Sequence, residues 1–111
     1  MRLKITIEDR TRELEIPGDI FTTGMSFFEK MDRDMDRGWQ MGPEFIEQPT
    51  LTNRCQIAAE KILQAVDTQN ENLLMLMAGY ILMRMPNATG VNIDTSGEPL
   101  GTEFTLTESN N

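Results

Sequence analysis

ENLLMLMAGYILMR, residues 71 to 84, decides how the rest of the chain must fold. From Asn72 to Met83 every residue is uncharged, and most are large and apolar. A bilayer crossing needs about 20 such residues, so this run reads as a buried helix rather than a membrane span. At helical spacing, Leu73, Met77 and Tyr80 share one side, and Leu74, Ile81 and Met85 lie beside them. Met75 with Leu82, and Leu76 with Met83, occupy the remainder, so no face is polar. Such a helix has to be enclosed all round, either by its own domain or by a second copy of it. Pro86 sets its end at Met85, because the residue before a proline is held away from helical geometry.

Working back from that run, Thr52 to Val66 predicts a second helix. Cys55, Ala59, Ile62 and Val66 form its stripe, Ala58 and Leu63 widen it, and Arg54, Gln56, Glu60, Lys61 and Gln64 turn to water. Thr68 and Glu71 have capping-box spacing for the start of the central helix, and the short link favours antiparallel neighbours. A further helix is expected from Thr23 to Arg37, capped by Ser26 with Glu29 or by Thr22 or Thr23 a turn earlier, and stopped at Gly38. Phe27 or Phe28, Met31 and Met35 make its apolar stripe, and Glu29 with Arg33 and Lys30 with Asp34 stand at ion-pair spacing. Between these helices, Gly42, Pro43 and Pro49 break regular structure, with Glu44 to Glu47 expected as a short helical turn.

At the amino end, Leu3, Ile5 and Ile7 alternate with polar residues, as do Leu14 and Ile16, which is the pattern of a β-hairpin with one wet face. A two-residue turn at Asp9-Arg10 sets Ile5 against Leu14 and Leu3 against Ile16. A four-residue turn from Asp9 to Arg12 opposes Glu8 to Glu13 instead. Val91 and Ile93 make a strand candidate able to join this hairpin. Glu103 to Thr107 is either a final edge strand or part of a loose tail. The expected fold class is therefore α+β: a small antiparallel sheet, the hairpin plus a C-terminal strand, packed with about three helices, the last of them central. Residues 1–94 are read as one globular domain and 95–111 as an acidic C-terminal loop or tail.

In the 111 residues, 18 acidic side chains stand against 10 basic ones, a net charge of −8, which disfavours nucleic acid and anionic membranes as partners. No apolar signal core fits among Arg2, Lys4, Glu8, Asp9 and Arg10, and the lone Cys55 can form no internal disulfide, so a cytoplasmic location is expected.

Histidine is absent, which removes the commonest general base and every Ser-His or Cys-His pair. Asp32, Asp34 and Asp36 suggest a calcium loop, but their spacing and that of Gly38 and Glu44 are out of register by one residue. No metal or cofactor is therefore expected. The reading that remains is a non-catalytic domain acting through a protein partner or as a homo-oligomer. Its candidate contact residues are Trp39, Met41, Met75, Ala78, Gly79 and Leu82, chosen for the nine methionines, the lone tryptophan and the close approach that Ala78-Gly79 permits. The alternative is a small enzyme or ligand-binding protein using Asp32, Asp36, Glu44 and Glu47 around Trp39.

Overall fold

The computed structural model describes residues 1–107. Glu108, counted above in the acidic tail, lies outside them. The architecture is α+β, a mixed four-stranded sheet and a small second hairpin packed with four helices.

Strands β1 (Arg2–Ile7) and β2 (Arg10–Glu15) form the amino-terminal hairpin. Its turn is Glu8-Asp9, so both anticipated registers are corrected: Leu3 lies opposite Leu14, Ile5 opposite Arg12 and Ile7 opposite Arg10. The faces are those the alternation implies, because the shift is an even number of residues. This register sets Arg2 against Glu15 and Lys4 against Glu13, opposite charges, and brings the Thr6 and Thr11 hydroxyls to 3.1 Å. Those pairs offset the left-handed backbone of Glu8 (φ +58°), whose cost is about 1–2 kcal/mol.

Helices α1 (Ile20–Thr23) and α2 (Met25–Met35) replace the single helix expected from Thr23. Neither Ser26 nor a threonine caps α2; Gly24 sits at the junction. A Cβ there would lie 2.7 Å from the Ile20 carbonyl oxygen and 3.0 Å from Leu76 and Phe28, so the chain bends where only glycine fits. Phe28, Met31 and Met35 are buried, Phe27 is exposed, and Lys30 reaches Asp34 at 3.0 Å. Gly38 (φ +93°) ends the segment, its N–H donating to Met35 O.

The residues expected as a helical turn are instead a strand. β3 (Trp39–Met41) and β4 (Glu44–Ile46) pair across a two-residue turn, Gly42-Pro43. Gly42 has φ +64° at the first central position, where a type II′ turn takes glycine.

α3 (Leu51–Asp67) starts with a full capping box, Thr50 Oγ1 accepting from Asn53 N and Asn53 Oδ1 from Thr50 N. It is walled on more sides than its sequence suggests. Arg54 and Gln56, expected in water, turn inward, and Val66, expected in the core, is 44% exposed. Gln56 Nε2 donates to the carbonyls of Leu100 and Thr102, tying a short 3-10 turn (Pro99–Gly101) to the helix. Thr68 closes α3 rather than opening the next helix, its hydroxyl donating to Gln64 O. Gln69 then adopts φ +55°, and the N–H groups of Gln69 and Asn70 donate to Val66 O and Ala65 O, the two bonds of a Schellman motif.

α4 (Glu71–Arg84) is capped by Asn70, whose side chain accepts from Leu73 N. From Leu73 to Met85 no residue is exposed, and Leu74, Met77 to Leu82 are buried. α3 packs along it, Ile20 and Phe28 cover the Gly79 side, and Leu74 lines the space beneath the hairpin. β5 (Ala88–Ile93) and β6 (Glu103–Leu106) complete the sheet in the order β2-β1-β5-β6. β5 runs parallel to β1, so the sheet is mixed rather than wholly antiparallel: the chain between β2 and β5 crosses over through the helices and re-enters in the direction of β1.

Replacing Gln69 with glycine relieves the one left-handed side chain at the α3–α4 junction. Gln69→Gly should stabilise the fold by about 0.5–1 kcal/mol, raising Tm by roughly 4 °C in a calorimetric scan.

Candidate functional site

Two features outside the packed core bear on function. The larger is a groove of about 580 Å³ beneath the distal half of the amino-terminal hairpin. Its floor is Ile5, Ile7 and Leu14 from the sheet, Val66 from the end of α3 and Leu74 from the start of α4. Glu8, Asp9, Arg10 and Arg12 form its edge. The hairpin register explains this composition. Because the turn falls at Glu8-Asp9, the inward positions opposite Ile5 and Ile7 are Arg12 and Arg10, too polar to close over the apolar floor. Arg12 spans instead to Glu71 at the start of α4, Nη1 donating to Oε1 at 3.2 Å and Nη2 to Oε2 at 3.1 Å. That pair is exposed and adds little stability, but it fixes where the groove ends. The volume lies within the usual range for ligand-binding clefts.

The second feature is a half-buried polar knot centred on Asp32 of α2. Its carboxylate accepts from the Tyr80 hydroxyl at 2.6 Å, pairs with Arg54 at 3.3 Å and pairs with Arg84. Arg54 also donates to Asp36 Oδ1 at 2.7 Å and to the carbonyls of Asp32 and Pro49. Burial pushes the ionisation of the Tyr80 phenol above its usual range, so it remains a donor. Arg84 also lies 5.7 Å from the centre of the Tyr80 ring. One carboxylate thus holds α2, α3 and α4 at a single point. A shallow depression of about 340 Å³ lies over Arg54, Arg84, Asp36 and Leu51.

No protein-family model matches the sequence, and neither a curated protein nor a solved structure shows significant similarity to it. The functional reading therefore rests on geometry.

The contact residues chosen from the sequence divide by burial. Met41, Ala78, Gly79 and Leu82 are core: Gly79 faces Ile20, whose side chain would lie 3.1 Å from an added Cβ, and Met41 and Leu82 are almost wholly covered. Only Trp39 and Met75 keep partial exposure. Trp39 lies across from Ile46 with the Lys61 ammonium 5.3 Å from its ring centre, so it closes the core beneath the small hairpin.

The four carboxylates proposed around Trp39 do not come together. Asp32 and Asp36 are held by arginines, Glu44 and Glu47 are exposed on and beyond β4, and Trp39 lines neither depression. Asp34 is taken by Lys30, whereas Asp32 and Asp36 share Arg54, so the alternating aspartates do not converge on one site. The groove residues were missed because their sheet positions read as ordinary core. Alternation alone sets Arg10 and Arg12 on the face of Leu14 and Ile16, and that is the signal in the sequence that marks them as inward.

Asp32→Asn should leave Arg84 without a carboxylate and Arg54 with Asp36 alone, and cost about 3 kcal/mol in urea unfolding, whereas Tyr80→Phe should cost about 1 kcal/mol. Burial also pushes the Cys55 thiol up to about 12. A disulfide reagent such as DTNB at pH 8 should therefore leave native protein unmodified and react with it only when denaturant is added.

Proposed function

We propose that the protein is a non-catalytic interaction domain that receives an apolar segment of another protein in the hairpin groove. One observation carries this reading: a solvent-open depression of about 580 Å³ with an apolar floor, on a molecule whose central helix is otherwise covered by its own chain. Val66 is 44% exposed on that floor, an apolar side chain left at the surface where α3 was expected to be buried. A separate protein is favoured over a second copy because α4 has already found its cover within the chain. Association at this site calls for no reactive side chain. The chain's acidity and its lone cysteine support placing the domain in the cytoplasm, and among the described residues no helix is long and apolar enough to cross a membrane.

A photo-cross-linking residue placed at Arg10, an inward position on the groove edge, tests the proposal in living cells. A discrete heterologous adduct is expected, and Val66→Gln, which removes apolar floor at a surface position, should reduce it several-fold. An adduct of twice the chain's mass would reassign the groove to self-association. Absence of any adduct that responds to Val66→Gln would overturn the proposal.

A further inference from the structure

We infer that the segment the groove receives is basic and amphipathic, with apolar side chains on the floor and Lys or Arg side chains against Glu8 and Asp9. This rests on the reading just given and adds the partner's charge. Four charged residues border the groove, Glu8, Asp9, Arg10 and Arg12, but they are not equally free. Arg12 and Glu71 satisfy each other through two hydrogen bonds, which takes both out of play. What remains at the tip is Glu8 and Asp9 against Arg10, an excess of one negative charge. Neither carboxylate forms an ion pair among the described residues.

The wider field has the same sign. With 18 acidic and 10 basic side chains, the chain approaches any partner with a charge of −8, and no Lys or Arg follows Arg84. Such a field accelerates the approach of a cationic segment and repels an anionic one over roughly a Debye length, about 8 Å at physiological salt. An uncharged apolar ligand would fill the floor and leave the two tip carboxylates unused. A segment with Lys or Arg on its polar side meets the floor, the tip and the field together.

Two synthetic peptides with identical leucine positions, one carrying lysine and the other glutamate at every polar position, distinguish the charge of the partner. Each is fluorescently labelled and titrated with the full chain at low and high salt. The lysine peptide should bind at least about tenfold more tightly at low salt, with the gap narrowing at high salt. Val66→Gln should weaken its binding several-fold, whereas Phe45→Gln, at an exposed aromatic outside the groove, should not. The double change Glu8→Lys with Asp9→Lys should remove most of the preference. Equal or tighter binding of the glutamate peptide, still sensitive to Val66→Gln, would overturn the charge assignment and leave the groove reading standing. Binding of neither peptide, or binding indifferent to Val66→Gln, would overturn both.

Discussion

A helix without a wet side constrains everything around it. α4 exposes no residue between Leu73 and Met85, and each large side chain buried there contributes about 1.5–3 kcal/mol only if something apolar meets it. The other elements supply that contact from different directions. α3 lies antiparallel alongside, joined by a Schellman turn too short to let it go elsewhere. α1 approaches at Gly79, where the missing side chain lets Ile20 come close. Phe28 reaches the Tyr80 ring edge-on at 5.9 Å. The polar end of Tyr80 needs a partner inside the fold, and Asp32 meets it while also pairing with Arg54 and with Arg84, whose buried Nε has no hydrogen-bond partner among the described residues. Oil and charge thus converge on the same helix, and the knot at its carboxyl end orients the three long helices that the apolar contacts merely hold together.

The groove follows from a conflict at the other end of the molecule. The hairpin needs its inner face against the helices, and Leu3, Leu14 and Ile16 meet that need. Its distal half extends beyond the cover that α3 and α4 supply, and there the inward positions of β2 are arginines. Inward-pointing charge on a terminal strand also discourages indiscriminate pairing with other sheets. Surface left open in this way is selective: Arg10, Arg12, Glu8 and Asp9 frame a small apolar floor rather than a broad sticky face.

Much of the fold was readable from residue pattern, and the failures have physical causes. The bounds of α4 follow from Pro86 and the run of uncharged residues, and the stripe of α2 from Phe28, Met31 and Met35, because burial there is decided by local periodicity. Arg54 and Gln56 defeated the same reasoning, since their partners, Asp32 and the Leu100 and Thr102 carbonyls, are distant in sequence. β4 is hidden from pattern alone because Gly42-Pro43 reads as a breaker, whereas a glycine at left-handed φ between two short apolar-polar runs is equally a hairpin turn. Among the candidate contact residues, Met41, Ala78, Gly79 and Leu82 are apolar enough to bind a partner, and the chain packs them against itself. Val66 escapes burial only because the hairpin above it ends in charge, a fact that belongs to strand register rather than to the helix that carries it.

The parallel pairing of β1 with β5 has a further implication for how the molecule comes into being. β1 is made before all four helices, yet one of its two neighbours is made only after them. During synthesis the hairpin is left with β2 alone, and an isolated two-stranded ribbon is marginal in water. The helical block, rich in contacts between near neighbours, has what it needs to assemble earlier, and the sheet must close over it afterwards across a long loop. A chain halted between Arg84 and Ala88 therefore carries all four helices and a hairpin without its second neighbour, so β5 and β6 act as the latch that turns a partial assembly into the native molecule.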